Sequence, residues 1–133
     1  MLNQLTYKHY GNRAILIEWP AIIDEHILKD ILTYKEYIVK TKKKFIEECI
    51  TGYNSLTIIY LKEIIDFSAE KKSLMALYST NDSKTTLPPT IWEIPVCYDK
   101  KFGIDLEEMS ATLNLSDREI VDLHTEKAYT VYF

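Results

Sequence analysis

Three histidines, two cysteines and twenty acidic residues are the side chains of this chain best able to hold a metal, attack a carbon or move a proton. His9, His26 and His124 lie far apart, and none belongs to a His-x-x-x-His or Cys-x-x-Cys pattern, so no metal centre is expected. Ser55 follows Gly52-Tyr53-Asn54, which is not the Gly-x-Ser-x-Gly elbow that exposes a nucleophile at a strand-to-helix turn. It reads instead as the point where a turn becomes a strand. Cys49 and Cys97 fall inside strand-like runs and are expected to be reduced, buried and inert. Gly11, Gly52 and Gly103 are too widely spaced to cradle a phosphate. Glu47 and Glu48 are neighbours on a strand and would point to opposite faces, whereas Glu107 and Glu108 sit at a helix start, where negative charge complements the dipole. The expectation is a chain with no catalytic residue, metal or cofactor site of its own.

Binding is better represented than chemistry. Ten tyrosines and two tryptophans supply large apolar rings with a polar tip, a combination favoured at protein interfaces. Many of these rings must fill the core. Tyr37, just outside the apolar arc of a helix, and Tyr98 and Phe102, in a connector, are the aromatic candidates for a partner-binding surface. His124, on a short helix, is the fourth.

The elements that must position these residues follow from periodicity. Residues 5–10 alternate as a half-buried strand; Gly11-Asn12 marks a hairpin turn; Arg13 to Glu18 returns as a second strand. Residues 23–40 carry Ile23, Ile27, Leu28, Ile31, Leu32, Tyr34, Ile38 and Val39 on one broad helical arc, with Asp24 as N-cap. Lys35 intrudes on the arc and must snorkel. Lys40, Lys42, Lys43 and Lys44 follow, either as favourable charge at the helix C-terminus or as an anion site. Strands are expected at Phe45 to Ile50, at Ser55 to Leu61 and at Trp92 to Tyr98, and a second helix at 66–79. Pro95 cannot donate to a ladder and marks the last of these strands as an edge or an irregularity.

From Arg13 to Tyr98 the order is βαββαβ, the ferredoxin-like arrangement of an antiparallel sheet covered on one face by two helices. The fold class expected is α+β, with an extra N-terminal strand and a C-terminal extension of two helices and a strand. In a ferredoxin-like sheet the strand at 13–18 is central and already flanked on both sides. The strand at 5–10 therefore either modifies the sheet or pairs elsewhere. Residues 99–133 form the extension beyond a 1–98 core. Asp105 with Glu108, and Ser116 with Glu119, each have the spacing of a capping box, with hydrophobic staples from Ile104 to Met109 and from Leu115 to Ile120. Helices are expected at 105–113 and 116–126. Ala128 to Phe133 is a strand-forming aromatic run of the kind that continues into further structure, and its side chains should be exposed or paired between molecules.

Composition narrows the function classes. At 133 residues, 47% hydrophobic and 27% charged, the chain is the size and make-up of one globular domain. Its net charge of −4 lacks the basic surplus of a dedicated nucleic-acid binder. No apolar run approaches the ~18 residues of a membrane span, and the start lacks the basic and apolar regions of a signal peptide. A cytoplasmic protein is expected.

Several short stretches, in order, resemble one bacterial family: Gly11-Asn12-Arg13-Ala14 before an aliphatic strand, Gly52-Tyr53-Asn54-Ser55-Leu56, Ile94-Pro95-Val96-Cys97-Tyr98, Phe102-Gly103-Ile104-Asp105-Leu106, Leu123-His124, and Tyr129-Thr130-Val131-Tyr132-Phe133. The chain is similar over nearly its whole length to the 5-oxoprolinase B subunit, a family also described as the sporulation-kinase inhibitor KipI and as allophanate hydrolase subunit 1. The resemblance implies an N-terminal domain followed, in family members, by a cyclophilin-like β-domain that carries the substrate-binding residues. It implies a sister hydrolase subunit as partner, and ATP used only through the enzyme complex, in opening 5-oxoproline to glutamate. It equally implies the regulatory alternative, a sensor histidine kinase as partner with its autophosphorylation blocked. Independently of the family, a ferredoxin-like module could bind a small metabolite.

Overall fold

The computed structural model describes residues 5–80 and 90–132. These form two compact units, residues 5–80 together with Tyr132, and residues 90–131.

The first unit contains β1 (Thr6–His9), β2 (Ala14–Glu18), α1 (Glu25–Lys42), β3 (Ile46–Thr51), β4 (Ser55–Tyr60) and α2 (Phe67–Ser79). The four strands make one antiparallel sheet in the order β1-β2-β4-β3. The N-terminal hairpin is real: Tyr7 lies opposite Ile17 and His9 opposite Ile15. Gly11 turns the chain with φ 73°, a left-handed conformation that glycine adopts without strain.

β2 has two edges; β4 takes one and β1 the other. β1 thus stands where a ferredoxin-like sheet places its last strand. The strand expected at 92–98 is absent, and residues 91–97 are exposed without regular structure. Their alternating pattern is that of a strand, but the place beside β2 that a last ferredoxin-like strand would take is held by β1. The run at 128–132 likewise forms no strand; Tyr129 and Val131 are exposed, as expected of them.

The core lies between the sheet and its helices. Ile15, Ile17, Leu56 and Ile58 meet Ile31, Tyr34 and Ile38 of α1 and Leu74 of α2, all fully buried. Each such aliphatic side chain contributes about 1.5–3 kcal/mol of burial. The buried stripe of α1 is Ile27, Ile31, Tyr34 and Ile38, spaced four, three and four residues apart. It is narrower than the arc read from sequence: Ile23 precedes the helix and is exposed, as is Val39. Asp24 caps α1, accepting from the His26 N–H at 2.6 Å, and Asp66 caps α2, accepting from the Ala69 N–H at 3.0 Å. Lys42 does not stand free for an anion. Its Nζ donates to Glu70 Oε1 at 2.6 Å, and the same oxygen accepts from the Tyr60 hydroxyl at 2.7 Å.

Both cysteines are free thiols. Cys49 is only half-buried and Cys97 is exposed, so the expectation of two buried thiols fails. Cys97 is exposed because the strand that would have covered it does not form.

The second unit contains α3 (Leu106–Leu113) and α4 (Asp117–Thr125). The two starts differ although their sequences match. At α4 the capping box closes: the Glu119 N–H donates to Ser116 Oγ, while Glu119 Oε2 accepts from the Ser116 N–H at 2.8 Å. Hydrogen bonds from the Ser116 side chain and backbone hold the Glu119 carboxyl below the usual carboxylate range. At α3 no such box forms. Asp105 has φ −104° and ψ −5°, near-helical rather than extended, and makes no side-chain cap bond. The chain enters through a tight turn in which the Asp99 carbonyl accepts from the N–H groups of Phe102 and Gly103. Ile104 is left exposed, so the expected staple to Met109 is not made. Replacing Ser116 by alanine should cost the second unit about 1 kcal/mol. Thermal unfolding followed through amides of α4 checks this, and no change would mean the cap is energetically idle.

Candidate functional site

The segment from residue 96, α3, α4 and Tyr129 enclose a groove of about 530 Å³ within the second unit. Its walls are mainly apolar: Val96, Leu106, Met109, Ile120 and Leu123 contribute. Leu106 and Ile120 are its buried floor. The helices can form these walls because Asn114 takes a left-handed conformation, φ 54°, at the end of α3 and turns the chain into α4. Ser110 Oγ donates to the Leu115 carbonyl at 2.5 Å and fixes that turn.

One wall is aromatic and polar. The Tyr98 hydroxyl and His124 Nδ1 share a hydrogen bond of 2.5 Å, with the rings edge-on at a centroid distance of 5.9 Å. Tyr129 also packs on the imidazole, its ring 5.6 Å away and its hydroxyl donating to the His124 carbonyl at 3.1 Å. Phe102 is exposed at the groove, with Lys101 Nζ 5.6 Å from its ring centroid.

Three of the four residues singled out from sequence are therefore gathered here: Tyr98, Phe102 and His124 all line the groove. Tyr37 is not among them. It is half-buried on α1 in the first unit, and its carbonyl accepts from Thr41 Oγ1. Sequence reasoning missed Val96, Leu106, Met109, Leu123 and Tyr129. The aliphatic residues read as ordinary packing stripes, and only their convergence in space separates a groove wall from a core. Tyr129 carried a signal in the aromatic run that contains it.

Most of the groove offers apolar contact surface. Cys97 also lines it, but its Sγ lies 3.6 Å from the Asp99 carboxylate, and Nδ1 of His124 is occupied by Tyr98. The thiol thus has a carboxylate as its hydrogen-bond partner. Among the described residues no group of three or more His, Cys, Asp and Glu side chains could hold a metal ion. None of their helices is long and apolar enough to cross a membrane.

Residues 5–133 match the family described as carboxyltransferase domain, subdomains C and D. The chain belongs to that family. It is 30% identical over 132 residues to the 5-oxoprolinase B subunit of Bacillus subtilis (strain 168), an alignment covering 92% of this chain and 55% of that protein. A conserved uncharacterized protein from Pyrococcus horikoshii is 27% identical with a TM-score of 0.52, over 96% of this chain and 58% of that one. The urea amidolyase of K. lactis is 26% identical with a TM-score of 0.54, over 60% of this chain and 5% of that one. This carboxyltransferase-type chain spans about half the length of the curated relative it matches. The name of that relative, a subunit, places it in an assembly.

Proposed function

We propose that this chain is the non-catalytic, assembly-supporting part of a protein like the 5-oxoprolinase B subunit. It acts with a sister subunit in the ATP-dependent opening of the 5-oxoproline lactam by water, giving glutamate, ADP and inorganic phosphate. The observation that carries the reading is the identity to the Bacillus subtilis 5-oxoprolinase protein across nearly the whole chain. The apolar groove supports it, since an exposed apolar surface with an aromatic and histidine wall suits a contact surface. ATP would be used through the enzyme complex rather than by this chain alone. Its cellular setting would be the cytoplasm, where such a metabolic assembly meets ATP.

A chimera in which this chain replaces the aligned stretch of the Bacillus subtilis relative tests the proposal in cells lacking that relative. Restored consumption of added 5-oxoproline is expected. A chimera that accumulates in folded form yet leaves consumption at the level of the deletion strain would overturn it.

A further inference from the structure

The lysines at and after the end of α1 are used neither by the core nor by the groove. Lys40, Lys42, Lys43 and Lys44 close the helix and the turn that follows it. Lys62 stands in the connector from β4 to α2, and Lys71 and Lys72 lie just past the first turn of α2. The fold brings these stretches to one end of the sheet. The Phe45 N–H donates to the Lys42 carbonyl at 2.8 Å, the Leu61 N–H donates to the Phe45 carbonyl at 2.9 Å, and Ile46 lies opposite Tyr60. Lys44 and Lys62 therefore follow directly on the paired residues Phe45 and Leu61. Glu70, in the first turn of α2, holds the Lys42 ammonium at 2.6 Å.

Charge pairing at this end is lopsided. Glu47 Oε2 accepts from Arg13 at 3.2 Å, Glu63 Oε1 accepts from Asn12 Nδ2 at 2.7 Å, Asp66 caps α2, and Glu70 serves both Lys42 and Tyr60. Glu36, one turn before Lys40, and Glu48 make no ion pair among the described residues. Neither do Lys40, Lys43, Lys44, Lys62, Lys71 and Lys72, so six ammonium groups stand against two carboxylates. The dipole of α1 accounts for Lys40 and Lys43. It does not account for Lys62, and the helix end nearer to Lys71 and Lys72 is the positive one, where a cation is disfavoured. Apolar side chains share the same end: Phe45 is 65% exposed, Leu61 52% and Ile65 101%. Exposed apolar residues scattered singly are ordinary. Here they are interleaved with unpaired cations, as Lys44-Phe45 and Leu61-Lys62.

We infer that this end of the first unit docks an acidic protein segment that also carries apolar side chains. The segment's carboxylates meet the six unpaired lysines, and its apolar side chains cover Phe45, Leu61 and Ile65. Charge complementarity selects this partner. A nucleic-acid duplex or an anionic bilayer is far larger than the patch and also faces the rest of a chain whose net charge is −4. A short protein segment meets the patch alone, with repulsion from more distant carboxylates screened beyond about 8 Å at physiological salt. The docking face owes nothing to 5-oxoproline as substrate or to the groove, so a failed turnover assay would leave it standing.

The probe is a short fluorescein-labelled peptide of repeating Glu-Glu-Phe, titrated with the full 133-residue chain and followed by fluorescence anisotropy. It should bind about tenfold or more tightly than repeating Gln-Gln-Phe, and should weaken as salt is raised. Repeating Glu-Glu-Ser, which keeps the charge and lacks the rings, should also bind more weakly. Lys44→Glu combined with Lys62→Glu should weaken binding of the Glu-Glu-Phe peptide by about tenfold or more. Lys100→Glu combined with Lys127→Glu changes the net charge equally at exposed positions outside the patch, and should leave binding within about twofold. No preference for Glu-Glu-Phe over either control peptide would overturn the inference, as would equal loss in the two double variants. Tighter binding to duplex DNA or to phosphatidylglycerol vesicles than to the peptide would do the same. Self-association of the free chain that Lys44→Glu with Lys62→Glu abolishes would assign the face to a second copy instead, and would also overturn it.

Discussion

The Tyr34→Ala protein should lose most of its stability at room temperature. Tyr34 is fully buried between sheet and helices. Its ring packs against Trp19 at 6.3 Å and Tyr78 at 5.0 Å, both edge-on, and its hydroxyl donates to the Leu74 carbonyl of α2 at 2.7 Å. This one side chain ties α1 to α2 through a ring cluster and a buried hydrogen bond. Deleting a large buried ring costs about 3–5 kcal/mol, which is most of the stability of a domain at the ~5 kcal/mol lower end of the usual range. A small unit such as this belongs at the low end of that range. Tyr34→Phe keeps the ring and loses only the hydroxyl bond, a cost of about 1 kcal/mol. Urea unfolding followed by far-UV circular dichroism separates the two. Equal, small losses in both variants would show that the cluster is not the centre of the fold.

The second large effect is alkaline. Burial, the first cause in each case, raises the hydroxyl pKa of Tyr34, Tyr60 and Tyr78 well above the ordinary tyrosine value. For Tyr60 and Tyr78 the partners add to it: each hydroxyl donates to a carboxylate, Glu70 at 2.7 Å and Asp30 at 2.5 Å, a bond that ionisation would turn into repulsion. A raised folded-state value means that the native chain keeps its protons while the unfolded chain loses them. The stabilisation is fully present below about pH 10 and is lost progressively as pH climbs from there toward the folded-state values. Each retained proton steepens the decline by about 1.4 kcal/mol per pH unit, so three give roughly 4. Urea midpoints measured across the alkaline range should fall at that pace, with tyrosinate absorbance rising only as the chain unfolds. Tyr60→Phe should remove one proton's worth of the slope. A flat stability profile through pH 11, or tyrosinate forming in the folded chain, would contradict the burial of these hydroxyls.

The helices and hairpins of this chain were legible because their signals are local. Asp24 and Ser116 cap helices where their side chains suggest, and Gly11 turns where its freedom is needed. The ferredoxin-like reading was right about layers and antiparallel pairing but wrong about which chain segment fills the edge beside β2. That choice is a competition between residues 6–9 and 92–98, and both have the strand period. The hairpin at Gly11 decides it, since β1 closes a short loop while residues 92–98 are far along the chain. Asp105 shows the same limit at smaller scale: the capping-box spacing is present, but the turn at Asp99 sets a backbone in which the side chain cannot reach. For the groove, the polar and aromatic residues Tyr98, Phe102 and His124 were legible, while its aliphatic walls were not. Leu123 or Met109 in a helix looks alike whether it faces a core or a groove.

The proposed role is that of a part of a 5-oxoproline-opening assembly that does not carry the reacting groups. The most direct measurement is 5-oxoproline-dependent release of inorganic phosphate from ATP in the presence of the sister subunit. It should be made side by side on the purified 133-residue chain and on the chimera carrying it within the Bacillus subtilis relative. The account predicts phosphate release coupled to glutamate formation with the chimera and none above the sister subunit's own background with the isolated chain. Turnover by the isolated chain, or a folded chimera complex that forms no glutamate, would contradict it.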